Sequence, residues 1–409
     1  MTPTESFDHE FENESIVVEA LPKLSRDFKS DLECFVRYRI SVPVRYSEYK
    51  RLQMGMQPEP YMIDYENEKY SPTQENLNHY IDRINQILGS AYPAWQWIYE
   101  RLANEKSKYL LLNVLAYRII GWKLTKLPLD SDNFWKMMDY LRAVEKAQSN
   151  TDVINTGFHK LRLKNFNLEE FGYPVKVYSD AFGVFNEFIY SQYKFRDGGH
   201  EPTGGDWVID CGACFGGTSL YFANKVGVDG RVLSFEFMPD NLNIFSRNIE
   251  NNPELKSRII LVRSPVHSKD GQLMVIEGTG PATQVHPIGT GVLMYAKAIA
   301  LWVKSKISNN PIAFCKSTTI DAELKNRSVN RVRLIKMDIE GSEYSALRGA
   351  IKTIQKHKPV LAICVYHRLI DFYEVPQLIG SLNLGYKFYL QHSTVHGDET
   401  VIFAIPPGG

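Results

Sequence analysis

The chain has 409 residues, a length that suits two domains better than one. Its 47 basic and 47 acidic residues cancel, and no run of Lys and Arg stands out, so neither a nucleic-acid partner nor an anionic membrane surface is expected. Five cysteines over this length make no disulfide framework and point to a reducing, cytoplasmic setting.

Residues 1–15 are acidic and polar with no apolar core, and read as a flexible N-terminus rather than a signal peptide. Residues 16–170 read as a mainly helical domain. Apolar groups recur at helical spacing from Leu77 to Leu88, and Gly89 follows as a cap. Further helices are predicted over 94–103, 107–121 and 133–147, the last with Asp132 or Ser131 as N-cap. The apolar run 109–121 contains Asn113 and Arg118 and is too short to span a bilayer. Capping a pocket, forming a homodimer and recognising an acceptor all remain open as roles for this half.

From residue 171 to 409 short β-rich runs alternate with helices. Strands are predicted at 207–211, 232–237, 258–263, 273–277, 332–338, 360–365, 386–390 and 400–404. Helices are predicted at 218–226, 240–251, 342–357 and 369–382. The alternation implies an α/β fold with a mostly parallel, Rossmann-like sheet. The last two strands are joined by too short a link for a parallel crossover and should pair antiparallel. That is the shape of a class I methyltransferase sheet. The stretch 278–317, with a short helix at 292–305, interrupts the pattern as a surface insertion or a lid.

Chemistry concentrates first at Val208-Ile209-Asp210-Cys211-Gly212-Ala213-Cys214-Phe215-Gly216-Gly217, a strand and glycine turn leading into a helix that opens at Thr218. In an open α/β sheet this turn meets a nucleotide-like ligand. Glu236, followed by Phe237, closes the next strand at the spacing of a ribose-binding acid. A dinucleotide loop needs glycine where this chain has Cys214, so the pattern fails where a pyrophosphate would sit. S-adenosylmethionine carries a ribose without phosphate, and Asp210 would face its cationic amino-acid end. Cys211 and Cys214 have no second pair at zinc-ribbon spacing and read as small fillers.

The second concentration is Val332-Arg333-Leu334-Ile335-Lys336-Met337-Asp338-Ile339-Glu340-Gly341-Ser342-Glu343. Alternation puts Lys336 and Asp338 on one face of an apolar strand, and a lysine there needs a carboxylate partner. Glu340 and Glu343 flank a helix start, where acids favour the helix dipole without any catalytic role.

With these residues the chain resembles the FkbM family of S-adenosylmethionine-dependent methyltransferases. The resemblance rests on 209–213 with Gly216, on 235–237 with Pro239, and most of all on 335–343 continuing through Leu347-Arg348-Gly349-Ala350. The segments 359–367 and Gly385-Tyr386 add to it, and it covers roughly residue 175 to the C-terminus. It implies O-methylation of a hydroxyl on a sugar, glycan or natural-product-like small molecule, by direct methyl transfer. The cofactor-binding candidates are Asp210, Gly212, Ala213, Gly216, Thr218, Glu236 and Phe237. For catalysis the candidates are His367 as general base, Asp338 or Glu340 orienting it or the hydroxyl, and Lys336 for charge compensation. Asp338, Glu340, Glu343 and His367 could instead hold a divalent cation, although Lys336 makes one unnecessary. The rival readings are an NAD-dependent oxidoreductase or epimerase, and a non-catalytic binding protein on the same fold.

Overall fold

The computed structural model describes residues 21–42, 77–121, 124–148, 152–156, 161–277, 283–288, 312–325 and 327–408. The predicted tail 1–15, the helix at 292–305 and most of the 278–317 insertion lie outside the described residues. Backbone contacts group the chain into two compact units, one of Pro3–Tyr140 with Cys364–Gly408, the other of Leu141–Ile363.

The first unit opens with helices α1 (Phe28–Ser41), α2 (Leu77–Leu88), α3 (Tyr92–Arg101) and α4 (Glu105–Ile120). Polar side chains start α1 and α4. Asp27 accepts the Ser30 amide at 2.8 Å, and Asn104 accepts that of Ser107 at 2.9 Å. α4 stops at Gly121, whose φ of 79° leaves the helical region. Phe28 stacks on Trp95 with centroids 5.6 Å apart, and α1 thereby packs on α3. Helix α5 (Asp132–Ala147) runs across the division between the units. Of its two candidate caps the structure uses Ser131, whose hydroxyl accepts the Phe134 amide at 3.2 Å.

The second unit begins with a small antiparallel sheet of β1 (Val153–Asn155), β2 (Arg162–Asn167) and β3 (Lys176–Ser179). A short helix α6 (Ala181–Val184) follows and widens into a π-helical turn over Phe185–Ile189. Then come β4 (Trp207–Cys211), α7 (Gly217–Lys225), β5 (Arg231–Phe235), α8 (Pro239–Glu250), α9 (Pro253–Lys256) and β6 (Ile259–Val262). β7 (Leu273–Glu277), β8 (Gln284–Pro287) and β9 (Ile312–Lys316) form a separate antiparallel sheet. After α10 (Ile320–Lys325) the chain returns through β10 (Val332–Met337), α11 (Glu343–Arg348), α12 (Ile351–His357) and β11 (Val360–Cys364).

Strands β11, β10, β4, β5 and β6 lie side by side in that order, all parallel. Their apolar runs fit burial on both faces, and Val208, Ile209, Ile335 and Leu361 are fully buried. The single helix expected over 342–357 is two. Gly349 packs against the His267 carbonyl so closely that any Cβ would overlap it. The Gly349 carbonyl accepts the Asp321 amide at 3.0 Å, and Asp321 in turn accepts the Thr353 amide at 2.8 Å, restarting the helix as α12.

The first unit is completed by α13 (Asp371–Ser381) and the antiparallel pair β12 (Lys387–His392) and β13 (Thr400–Ile405). Trp95 of α3 meets Phe372 and Tyr373 of α13, at 5.9 and 5.2 Å between centroids. The second unit's five side-by-side strands are parallel, and the first unit's β12 and β13 pair antiparallel. This is the α/β, Rossmann-like class I methyltransferase sheet expected from the alternation of elements. No helix among the described residues is long and apolar enough to cross a membrane.

Candidate functional site at the end of strand β4

Strand pairing decides which side chains meet. β10 lies against β4 in a register that sets Lys336 beside Asp210 and Met337 beside Cys211. Lys336, 1% exposed, forms an ion pair with Asp210 Oδ1 at 3.1 Å. Its ammonium also donates to the carbonyls of Gly212 at 2.7 Å and Cys211 at 3.2 Å. The carboxylate partner that a buried lysine requires is therefore Asp210. Asp210 itself is fully buried. Its Oδ2 accepts the Thr218 and Ser219 hydroxyls at 2.8 and 2.7 Å, which ties the strand end to the first turn of α7. Ser219 passes the link to Ser234 of β5 at 2.8 Å.

The connecting loop takes its shape from left-handed residues. Gly212 has φ 82°, and a Cβ there would overlap the Asp338 carbonyl, so the loop can lie directly on the end of β10. Asp338 donates its amide to the Cys211 carbonyl at 3.1 Å. The Gly212 and Ala213 amides both reach the Phe235 carbonyl, at 3.1 and 3.0 Å. Cys214 holds φ 47° with a side chain, and Gly216 at φ 90° lies against the Phe245 ring. Burial pushes both the Cys211 and the Cys214 thiols upward, so neither is a thiolate near neutral pH.

Glu236 is 6% exposed and held rigidly. Its Oε1 accepts the Phe237 and Met238 amides at 2.7 and 2.8 Å, and its Oε2 accepts Asn241 Nδ2 at 3.2 Å. Burial still raises its pKa, against the pull of these donors and of the Cys214 amide. Phe237 is half-buried.

After β10, Asp338 accepts the Tyr193 hydroxyl at 3.0 Å. Glu340 and Gly341, at φ 56° and 88°, turn the chain toward α11. Glu343 is fully buried and accepts the Ile339 amide at 2.9 Å, the N-terminal helix role open to it from the start. His367 belongs to the first unit, in the loop between β11 and α13, with its ring 4.0 Å from that of Tyr366. Buried Arg118 braces this loop by donating to the Tyr366 and Gly397 carbonyls, both at 2.8 Å.

Two residues were missed in the sequence. Arg118 gave a signal, a charge inside an apolar run, which served only to argue against a membrane span. Glu187 gave none. It lies on the π-helical turn, and its carboxyl rests on Gly217 at the start of α7. Burial first, then repulsion from Asp180 and Asp210, raise it to about 8 against the pull of Lys336.

Residues 210–388 match the family model of the methyltransferase FkbM domain. Among solved structures it is similar to the methyltransferase FkbM from Methylobacillus flagellatus KT, with 20% identity and a TM-score of 0.45. That similarity covers 81% of this chain and 63% of the neighbour, so this chain spans less than two thirds of its length. An O-methyltransferase from Bacillus cereus in complex with SAH matches at 13% identity and TM-score 0.33, over 66% of this chain and 90% of that one. Aeropyrum pernix fibrillarin with S-adenosyl-L-methionine matches at 12% identity and TM-score 0.30, over 50% and 67%. A comparison with curated protein sequences gives no match.

Proposed function

We propose that the chain is an S-adenosylmethionine-dependent O-methyltransferase that acts on a hydroxyl of a sugar, glycan or natural-product-like small molecule by direct transfer. The observation that carries the choice of cofactor is charge. Around the β4–α7 loop stand the carboxyls of Glu187, Asp210 and Glu236, with the ammonium of Lys336 beside them. Burial disfavours the ionised forms of Glu187 and Glu236; a cationic ligand would restore them, and a pyrophosphate would oppose them further. Cys214 supports the same choice, because it puts a side chain where a dinucleotide loop needs glycine.

The residues present fit the cofactor. Gly212, Ala213 and Gly216 let backbone approach it, while Asp210 and Thr218 hold the loop and helix in place from behind. Glu236 is the acceptor for the ribose hydroxyls, preorganised by its amide donors, with the half-buried Phe237 beside it. Bound here, the cofactor would supply a methyl group on a positively charged sulfur. The protein's part is alignment and proton removal. His367 takes the hydroxyl proton. Asp338 and Glu340, on the turn after β10, orient the acceptor, and Lys336 fixes Asp210 and the loop carbonyls.

A screen of glycans and small alcohols with labelled S-adenosylmethionine tests this reading, with label expected on an acceptor oxygen. His367→Ala should abolish turnover while leaving cofactor binding intact. Label on nitrogen or carbon would overturn O-methylation, and retained turnover would remove His367 as base.

A further inference from the structure

We infer that Glu187 is the receptor for the α-ammonium group of the cofactor's amino-acid end, a residue-level role that rests on the S-adenosylmethionine reading above. The argument begins with the backbone. Phe185–Ile189 forms a π-helical turn closed by the Tyr190 amide on the Phe185 carbonyl at 2.7 Å, and such wide turns recur at functional sites. It places Glu187 directly against Gly217, the first residue of α7. An added Cβ on Gly217 would overlap both carboxyl oxygens, so only glycine lets the carboxyl lie on the start of this helix. Gly217 is therefore used for side-chain access.

Glu187 is half-buried as a residue, its carboxyl lies deep enough for burial to raise its pKa, and among the described residues none donates a hydrogen bond to it. A carboxyl in such a position normally has a donor. Its charged and titratable neighbours are Lys336, Asp180, Asp210 and Cys214. Lys336 is committed to Asp210 and to two loop carbonyls. Asp180 caps α6 through the Gly183 amide at 2.9 Å. The surroundings thus hold an excess of acid and one donor already engaged. A ligand ammonium beside the glycine loop would satisfy the carboxyl and offset that excess. Asp210, first expected to face this end of the cofactor, is fully buried, whereas Glu187 is half-buried and lies on the first residue of α7.

Calorimetric titration of the full chain separates the possibilities. The probes are S-adenosylhomocysteine, which carries the ammonium, and 5′-methylthioadenosine, which keeps the nucleoside and lacks the amino acid. Glu187→Gln should weaken S-adenosylhomocysteine about tenfold or more, the usual effect of losing a hydrogen bond to a charged group, and leave methylthioadenosine unchanged. Unchanged affinity for both ligands, or an equal loss for both, would overturn the inference while the cofactor reading stands. Wild type that binds neither ligand removes both. If the variant does not fold, wild type is titrated with the deamino analogue of S-adenosylhomocysteine. A tenfold weaker fit supports an acidic receptor for the amine, and equal affinity overturns it.

Discussion

Lys336 and Asp210 face each other across paired strands with almost no contact with water, an arrangement in which each charge depends on the other. Lys336→Met leaves Asp210 buried and unpaired and should cost about 3–5 kcal/mol of stability, read from urea unfolding. The double variant with Asp210→Asn should recover part of that loss; an additive loss would mean that the two do not interact. Glu236→Ala should weaken cofactor binding by roughly 10- to 100-fold, in line with hydrogen bonds to a charged group. Unchanged affinity in a folded variant would remove the ribose assignment. Glu187 yields a prediction on pH. A carboxyl raised from 4.5 to about 8 binds more protons folded than unfolded, so its stabilisation is complete below 4.5 and is lost as pH rises toward 8. Wild type should lose stability between pH 5 and 8 relative to Glu187→Gln; parallel curves for the two would contradict this. The need for a partner at Lys336 was legible because a lysine in an apolar strand has no other solution. That the partner is Asp210 was not, since it depends on the register of strands more than a hundred residues apart.

Elements are held to one another by a few buried polar side chains. Asn248 of α8, fully buried, accepts the Tyr178 amide at 2.6 Å and donates to the Phe215 carbonyl at 2.8 Å. It thereby ties the small β1–β3 sheet and the glycine loop to one helix. Asn248→Ala should cost about 1–3 kcal/mol and speed amide exchange at Tyr178; exchange at the wild-type rate would contradict the tie. The five parallel strands and β7 were legible from period and turn residues, with β4 and β7 starting and ending where the pattern put them. β1–β3, β8 and β9 were not, and β1 and β2 lie in a stretch expected to be helical. Nor was the split of 342–357 into α11 and α12. The helical pattern runs through Gly349, and only the close approach of the His267 carbonyl breaks it. The π-helical turn was equally hidden, since residues 181–189 show no signal that separates it from an ordinary helix.

At the scale of the molecule, the chain's last segment belongs with its first helices. α13 packs on α3, and the Leu390 amide of β12 donates to the Ser107 hydroxyl of α4 at 3.0 Å. A sequence read in order cannot show this return, because it joins residues nearly three hundred positions apart. The match to the methyltransferase FkbM domain, by contrast, was legible from local motifs, above all the stretch around Lys336 and Asp338. The central proposal is that the β4–α7 loop binds S-adenosylmethionine and not a dinucleotide. The most direct test is thermal unfolding of the full chain with S-adenosylhomocysteine or NADH. At about 100 times its dissociation constant a ligand adds about 2.7 kcal/mol to the folded state, enough to raise the melting temperature measurably. S-adenosylhomocysteine should produce that rise and NADH none; a rise with NADH alone would contradict the account.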